Sequence, residues 1–117
     1  KSEEGDVACL GILKGTVKKF QKERRIPQIG WNTVTPVSGN ADAAILFSGL
    51  PKDGAFYFVN SYYCDPADTS IVAATTEYGE TFASVIAKNN IVATQFHPEK
   101  SGDVGFVLLK NFMEVYL

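Results

Sequence analysis

Gln95-Phe96-His97-Pro98-Glu99-Lys100-Ser101 closes an apolar run and carries the only histidine of the 117-residue chain. Pro98 has a fixed φ and pushes the residue before it away from helical geometry. The segment therefore reads as extended or turned, directly after a strand. Residues two apart on an extended chain project to the same side. His97 and Glu99 can thus sit together, the carboxylate holding one ring nitrogen while the other faces whatever lies beyond the strand end. That is the base and orienting acid of a nucleophile–base–acid triad. Strand ends facing a crevice are also where open α/β sheets place ligands. An ordinary surface pair is the competing reading, and Glu99 could also serve the dipole of a helix that follows.

Upstream, Phe82–Ala87 and Ile91–Phe96 flank Lys88-Asn89-Asn90. Asparagine tolerates positive φ, so these two runs read as a hairpin. Ile71 to Thr76 is another strand. Residues 55–63 are apolar or aromatic almost throughout, and the lack of alternation predicts a strand covered on both faces. Residues 41–48 suit a short helix that Gly49 can stop, with Asn40 as its cap. Residues 26–34 are extended, Pro27 favouring an edge or a strand start. Thr16–Phe20 reads as a strand, after a short apolar run over 7–13 closed by Gly15.

Downstream of the quoted segment, Ser101 or Asp103 can cap a helix that runs to about Tyr116. Val104, Leu108, Phe112 and Val115 form one apolar stripe, and Leu109, Met113 and Tyr116 another, which predicts a helix that is mostly buried. The tally is an α/β chain, strand-rich with one closing helix.

Composition narrows the function classes. Apolar residues make up 45% and charged residues 21%, the balance of one folded domain with a core of its own. A net charge of -2 gives no basic footprint for nucleic acid, and the basic run Lys18 to Arg25 is diluted by Phe20, Gln21 and Glu23. Cys9, Cys64 and one histidine make neither a zinc pattern nor a disulfide framework. No metal or cofactor is expected, and a reducing, cytoplasmic setting is the natural reading. No apolar stretch is long enough to predict a membrane span.

Taken with its surroundings, Gln95-Phe96-His97-Pro98-Glu99-Lys100-Ser101 resembles the closing motif of class I glutamine amidotransferases. Ile26-Pro27-Gln28-Ile29-Gly30-Trp31-Asn32 is similar to a signature of one branch of that family, the glutaminase subunits of imidazole glycerol phosphate synthases. Tyr57-Phe58-Val59-Asn60-Ser61-Tyr62, Gly11 to Phe20, and Leu108-Leu109-Lys110-Asn111-Phe112 resemble the same branch in the same order, from about Gly5 to the carboxyl end.

The resemblance implies that residues 1–117 form the carboxyl-terminal portion of a single flavodoxin-like amidotransferase domain. It implies hydrolysis of glutamine to glutamate and ammonia, with His97 and Glu99 completing a triad. Ammonia would pass to a (β/α)8-barrel cyclase in histidine biosynthesis. It further implies that Ser61 and Tyr62 line the glutamine pocket, and that Trp31, Asn32 and Lys100 face the cyclase. For Tyr62 and Trp31, plain aromatic packing is the competing reading.

Two departures stand out. The family's Gly-x-Cys-x-Gly elbow is absent, since Val7 stands two before Cys9, and both cysteines read as small core residues. The chain is therefore expected to lack its nucleophile and to be inactive alone. The family usually has histidine where Asn60 stands, which leaves that side chain's part in the pocket open. Alternatives are another amidotransferase of the family, serving anthranilate or guanylate synthesis, and a non-catalytic partner-binding domain of the same fold.

Overall fold

A computed structural model describes residues 6–9, 13–19, 28–60 and 62–116. Two antiparallel sheets are formed, and the chain alternates between them. The smaller is ordered β1-β2-β5, from Asp6–Cys9, Leu13–Lys19 and Tyr62–Pro66. The larger is ordered β4-β3-β6-β7-β8, from Gly54–Asn60, Gln28–Pro36, Val72–Glu77, Thr81–Lys88 and Ile91–Thr94. Gly15 does not close a run; it lies inside β2, opposite Val7 and Pro66. The β7–β8 hairpin turns at Asn89, whose φ of 57° is the left-handed value that asparagine accepts.

The last strand brings the larger sheet round on itself. The Gln95 amide donates to Ser84 O at 2.9 Å, still along β7, whereas the His97 amide donates to Tyr57 O at 2.9 Å, on β4. Phe58 and Phe96 form an antiparallel bridge between them. The chain thus crosses from one edge of the sheet to the other within three residues, and this crossing delivers His97. Phe56, Phe58, Phe82 and Phe96 fill the enclosed space, with Phe56 and Phe96 ring centroids 4.4 Å apart.

The aromatic run expected to be one doubly covered strand is two strands in two sheets. In β4, burial alternates: Phe56 and Phe58 point inward, while Ala55 and Val59 are exposed and Tyr57 is half-buried. Apolar residues on both faces hid a period of two, because Tyr57 and Val59 are apolar without being core.

Helix α1, Ala41–Leu46, is capped as expected, Asn40 Oδ1 accepting from the Ala43 amide at 2.9 Å. Gly49 follows at φ 82°. Helix α2, Gly102–Tyr116, packs against α1 and β4. It is not mostly buried. Gly105 and Leu108 are buried, and Val104, Phe112 and Tyr116 pack against the core. Phe106, Leu109, Met113 and Val115 are exposed. The described residues supply one layer for α2 to pack on: Val104, Leu108, Phe112 and Tyr116 meet it, whereas Val115 of the first expected stripe and Leu109 and Met113 of the second do not. No helix among the described residues is long and apolar enough to cross a membrane.

Candidate functional site

The site is built on a short turn between β8 and α2. Pro98–Lys100 form a single 3-10 turn with Pro98 at its first position, where a missing amide costs nothing. His97 precedes it in extended geometry, at φ -103° and ψ 95°, as a residue before proline should be. Its Nδ1 lies 3.0 Å from Glu99 Oε2. The sequence expected these two side chains on one side, and they meet there. The carboxylate occupies Nδ1, leaving Nε2 as the nitrogen able to exchange a proton with a reactant. The imidazole is 41% exposed and the carboxylate 59%, so the pair lies at the surface, within reach of a substrate.

The Glu99 carboxyl is held below its ordinary range, first by its own main-chain N–H and then by the His97 ring. An acid that stays ionised beside Nδ1 favours the tautomer with its proton there and stabilises the imidazolium once formed. The geometry can therefore accept a proton, hold it and return it. Among the described residues, no three His, Cys, Asp or Glu side chains lie close enough together to hold a metal ion.

Lys100 is exposed at the end of the same turn. Trp31, 57% exposed, lies on the outer face of β3 directly opposite Tyr57, the residue whose carbonyl holds the His97 amide. Asn32 is not on that face. It points with Gln28, donating to Gln28 Oε1 at 2.7 Å and to Glu77 O at 3.0 Å, while its own Oδ1 accepts from the Thr33 amide. Tyr62 is half-buried at the start of β5, in a second cluster with Ile71, Ala83 and Ile86. Ser61 lies outside the described residues, as does the side chain of Cys9. Cys64 packs with that second cluster, on β5 opposite Val17.

Asn60 accepts from buried Gln28 Nε2 at 2.9 Å and donates to Tyr62 O at 3.1 Å. Gln28, Asn32 and Asn60 thus form one amide chain across β3 and β4, and Asn60 is spent on holding strands. The sequence reading missed this chain, although the amides of Gln28 and Asn32 lie four apart on one strand face. It also missed Ser101, read as a helix cap, which is 1% exposed and hydrogen-bonded between the turn and β4.

The family model for class-I glutamine amidotransferases matches residues 7–115. The chain is 47% identical over 115 residues to the imidazole glycerol phosphate synthase subunit HisH of Dehalococcoides mccartyi, covering 97% of this chain and 54% of that protein. It is 48% identical over 117 residues to the HisH subunit of Chloroflexus aurantiacus, again covering 97% of this chain and 54% of the relative. The chain therefore spans about half the length of the curated relatives it matches. Among solved structures, a GMP synthase subunit from Thermoplasma acidophilum superposes with a TM-score of 0.63 at 22% identity, covering 87% of this chain and 48% of that one. At that identity the likeness concerns the α/β fold alone.

Proposed function

Because the chain belongs to the class-I glutamine amidotransferase family, we propose that residues 1–117 are the histidine-and-glutamate portion of a single glutaminase domain, acting in the cytoplasm as part of an imidazole glycerol phosphate synthase. The observation that carries this reading is the 3.0 Å contact between His97 Nδ1 and Glu99 Oε2, with the imidazole open to a reactant. Two relatives at 47% and 48% identity support the choice of branch within the family.

In the proposed reaction a cysteine thiolate attacks the side-chain amide carbon of glutamine. The sulfur comes from polypeptide outside these residues. His97 takes the thiol proton and gives it to the departing nitrogen, which leaves as ammonia. Water then attacks the thioester, His97 taking a proton from it and returning one to sulfur as glutamate leaves. Glu99 holds the ring in place and stabilises its charged form throughout. A correctly placed base of this kind contributes about 10²- to 10⁴-fold, so losing it is measurable without a structural change.

Ser61 and Tyr62 line the glutamine pocket in this proposal. Trp31 and Lys100 face a (β/α)8-barrel cyclase that consumes the ammonia, and Asn32 braces Trp31's strand from its inner side. The full-length gene product should relieve histidine auxotrophy in a strain lacking its own glutaminase subunit, when ammonia is scarce. His97→Asn should abolish that relief. Rescue of a guanine or tryptophan auxotroph instead would assign the chain to a different branch.

A further inference from the structure

We propose that Ser101 and Gly105 are positioning residues for the imidazole of His97: together they clamp the turn that carries it between β4 and the first turn of α2. This rests on the glutaminase reading for its catalytic consequence, though not for its geometry.

Ser101 forms the first half of the clamp. Its Oγ donates to the carbonyl oxygen of His97 at 2.6 Å and accepts from the amide of Tyr57 at 2.9 Å. Tyr57 in turn accepts from the His97 amide at 2.9 Å. Both main-chain polar groups of His97 are therefore tied, directly or through one hydroxyl, to the main chain of Tyr57. At 1% exposure no water can replace that hydroxyl cheaply, and its loss would orphan the Tyr57 amide, while the His97 carbonyl would keep only the Lys100 amide at 3.0 Å. Its role as a helix cap is taken over by geometry: Gly102, at φ 63°, turns the chain from the 3-10 turn straight into α2.

Gly105 forms the other half. A Cβ built there would stand 2.0 Å from the carbonyl oxygen of Pro98 and 2.9 Å from its carbonyl carbon and from Ser101 Cβ. The obstacle is main chain between His97 and Glu99, not the tip of a flexible side chain. Any side chain at 105 must lift the turn off the helix, and the two catalytic groups ride on that turn. The glycine is needed for closeness rather than for an unusual backbone angle.

A misplacement near 1 Å costs a reaction about 100-fold. In the full-length protein, Ser101→Ala should lower kcat for glutamine hydrolysis by about 10- to 100-fold with KM moving less than about 3-fold. Gly105→Ala should do the same or more, and Ser101→Thr, which keeps the hydroxyl, should recover most of the loss. A second readout does not involve catalysis. In the full-length protein the ring-proton resonances of His97 are identified by their absence from the His97→Asn variant. Glu99→Gln should shift them, and that shift should shrink at least about 2-fold when Ser101→Ala is also present, the signature of two coupled sites.

Should the wild type show no glutamine turnover, the glutaminase reading fails; the resonance coupling then decides the clamp by itself. Ser101→Ala with unchanged kcat in an active protein overturns the proposal. So does a Glu99→Gln shift of the same size with and without the serine hydroxyl. If Gly105→Ala does not fold, Ser101→Ala against Ser101→Thr still decides.

Discussion

Trp31 and Tyr57 meet edge to face across the β3–β4 pair, ring centroids 5.9 Å apart and planes at 66°, and the main chain of Tyr57 holds His97. An exposed tryptophan is thus joined to His97 through one ring contact and one main-chain hydrogen bond. Ile29 and Val59, also exposed, sit opposite each other one step along the same face. Exposed apolar side chains aligned on one sheet face are the material of an interface rather than of a solvated strand.

Trp31→Ala should weaken association of the full-length protein with the proposed cyclase by about 2 kcal/mol, the range of an aromatic anchor. The folding stability of the chain should change by less than about 1 kcal/mol, because the side chain is more than half exposed. Calorimetric titration and urea unfolding separate the two. An unchanged Kd would remove Trp31 from the proposed interface.

Glu99 gives a pH prediction with a definite sign. Its carboxyl is held down by its own amide and by His97, so the folded group protonates below its unfolded counterpart, ordinarily near 4.3. The stability it contributes is present above the unfolded value and is lost as pH falls through the folded one. The pair with His97 should accordingly persist through mildly acidic pH. Carboxyl-carbon NMR of Glu99 reads this directly; a midpoint at or above about 4.3 contradicts it.

The two asparagines that end α1 should each cost about 1 kcal/mol when replaced by alanine. Asn40 closes the amino end, and Asn111 donates from α2 to the carbonyls of Leu46 and Ser48 at 2.8 and 3.0 Å. Since Asn40 also donates to Val72 O at 3.2 Å, Asn40→Ala should cost at least as much as Asn111→Ala. Urea midpoints for both variants check the order.

Tyr116 donates to Asp42, and its hydroxyl is pushed up to about 12, first by burial and then by that carboxylate. Tyr63 is pushed up to about 12 by burial and by Glu80. Raised values such as these stabilise the fold fully below the unfolded pKa near 10 and are lost as pH rises through about 12. Stability should therefore fall steeply between pH 10 and 12, and Tyr116→Phe should flatten part of that fall. A flat profile in the wild type would rule out both contacts.

What the sequence disclosed was local chemistry. His97 and Glu99 meet because Pro98 stiffens three consecutive residues, and Asn40 caps because the helix begins beside it. Neither needs a distant partner. The aromatic stretch misled for the opposite reason, since whether Tyr57 and Val59 are covered depends on what lies opposite them. Asn111 capping a helix 65 residues away has no local signature at all. Ser101 was legible as polar and next to a helix, which fits a cap as well as a clamp; only the approach of β4 distinguishes them. In the second apolar stripe of α2, Tyr116 reaches the core, but Leu109 and Met113 have no layer over them among the described residues.

The most direct test of the central claim is ammonia release from glutamine, measured for the full-length protein, for its His97→Asn variant and for the 117-residue chain alone. Turnover by the full-length protein, a loss of at least about 100-fold in the variant and none from the isolated chain are the results expected. Full activity in the His97→Asn variant would show that the imidazole is not the base, and sustained turnover by the isolated chain would show that its nucleophile lies within these residues.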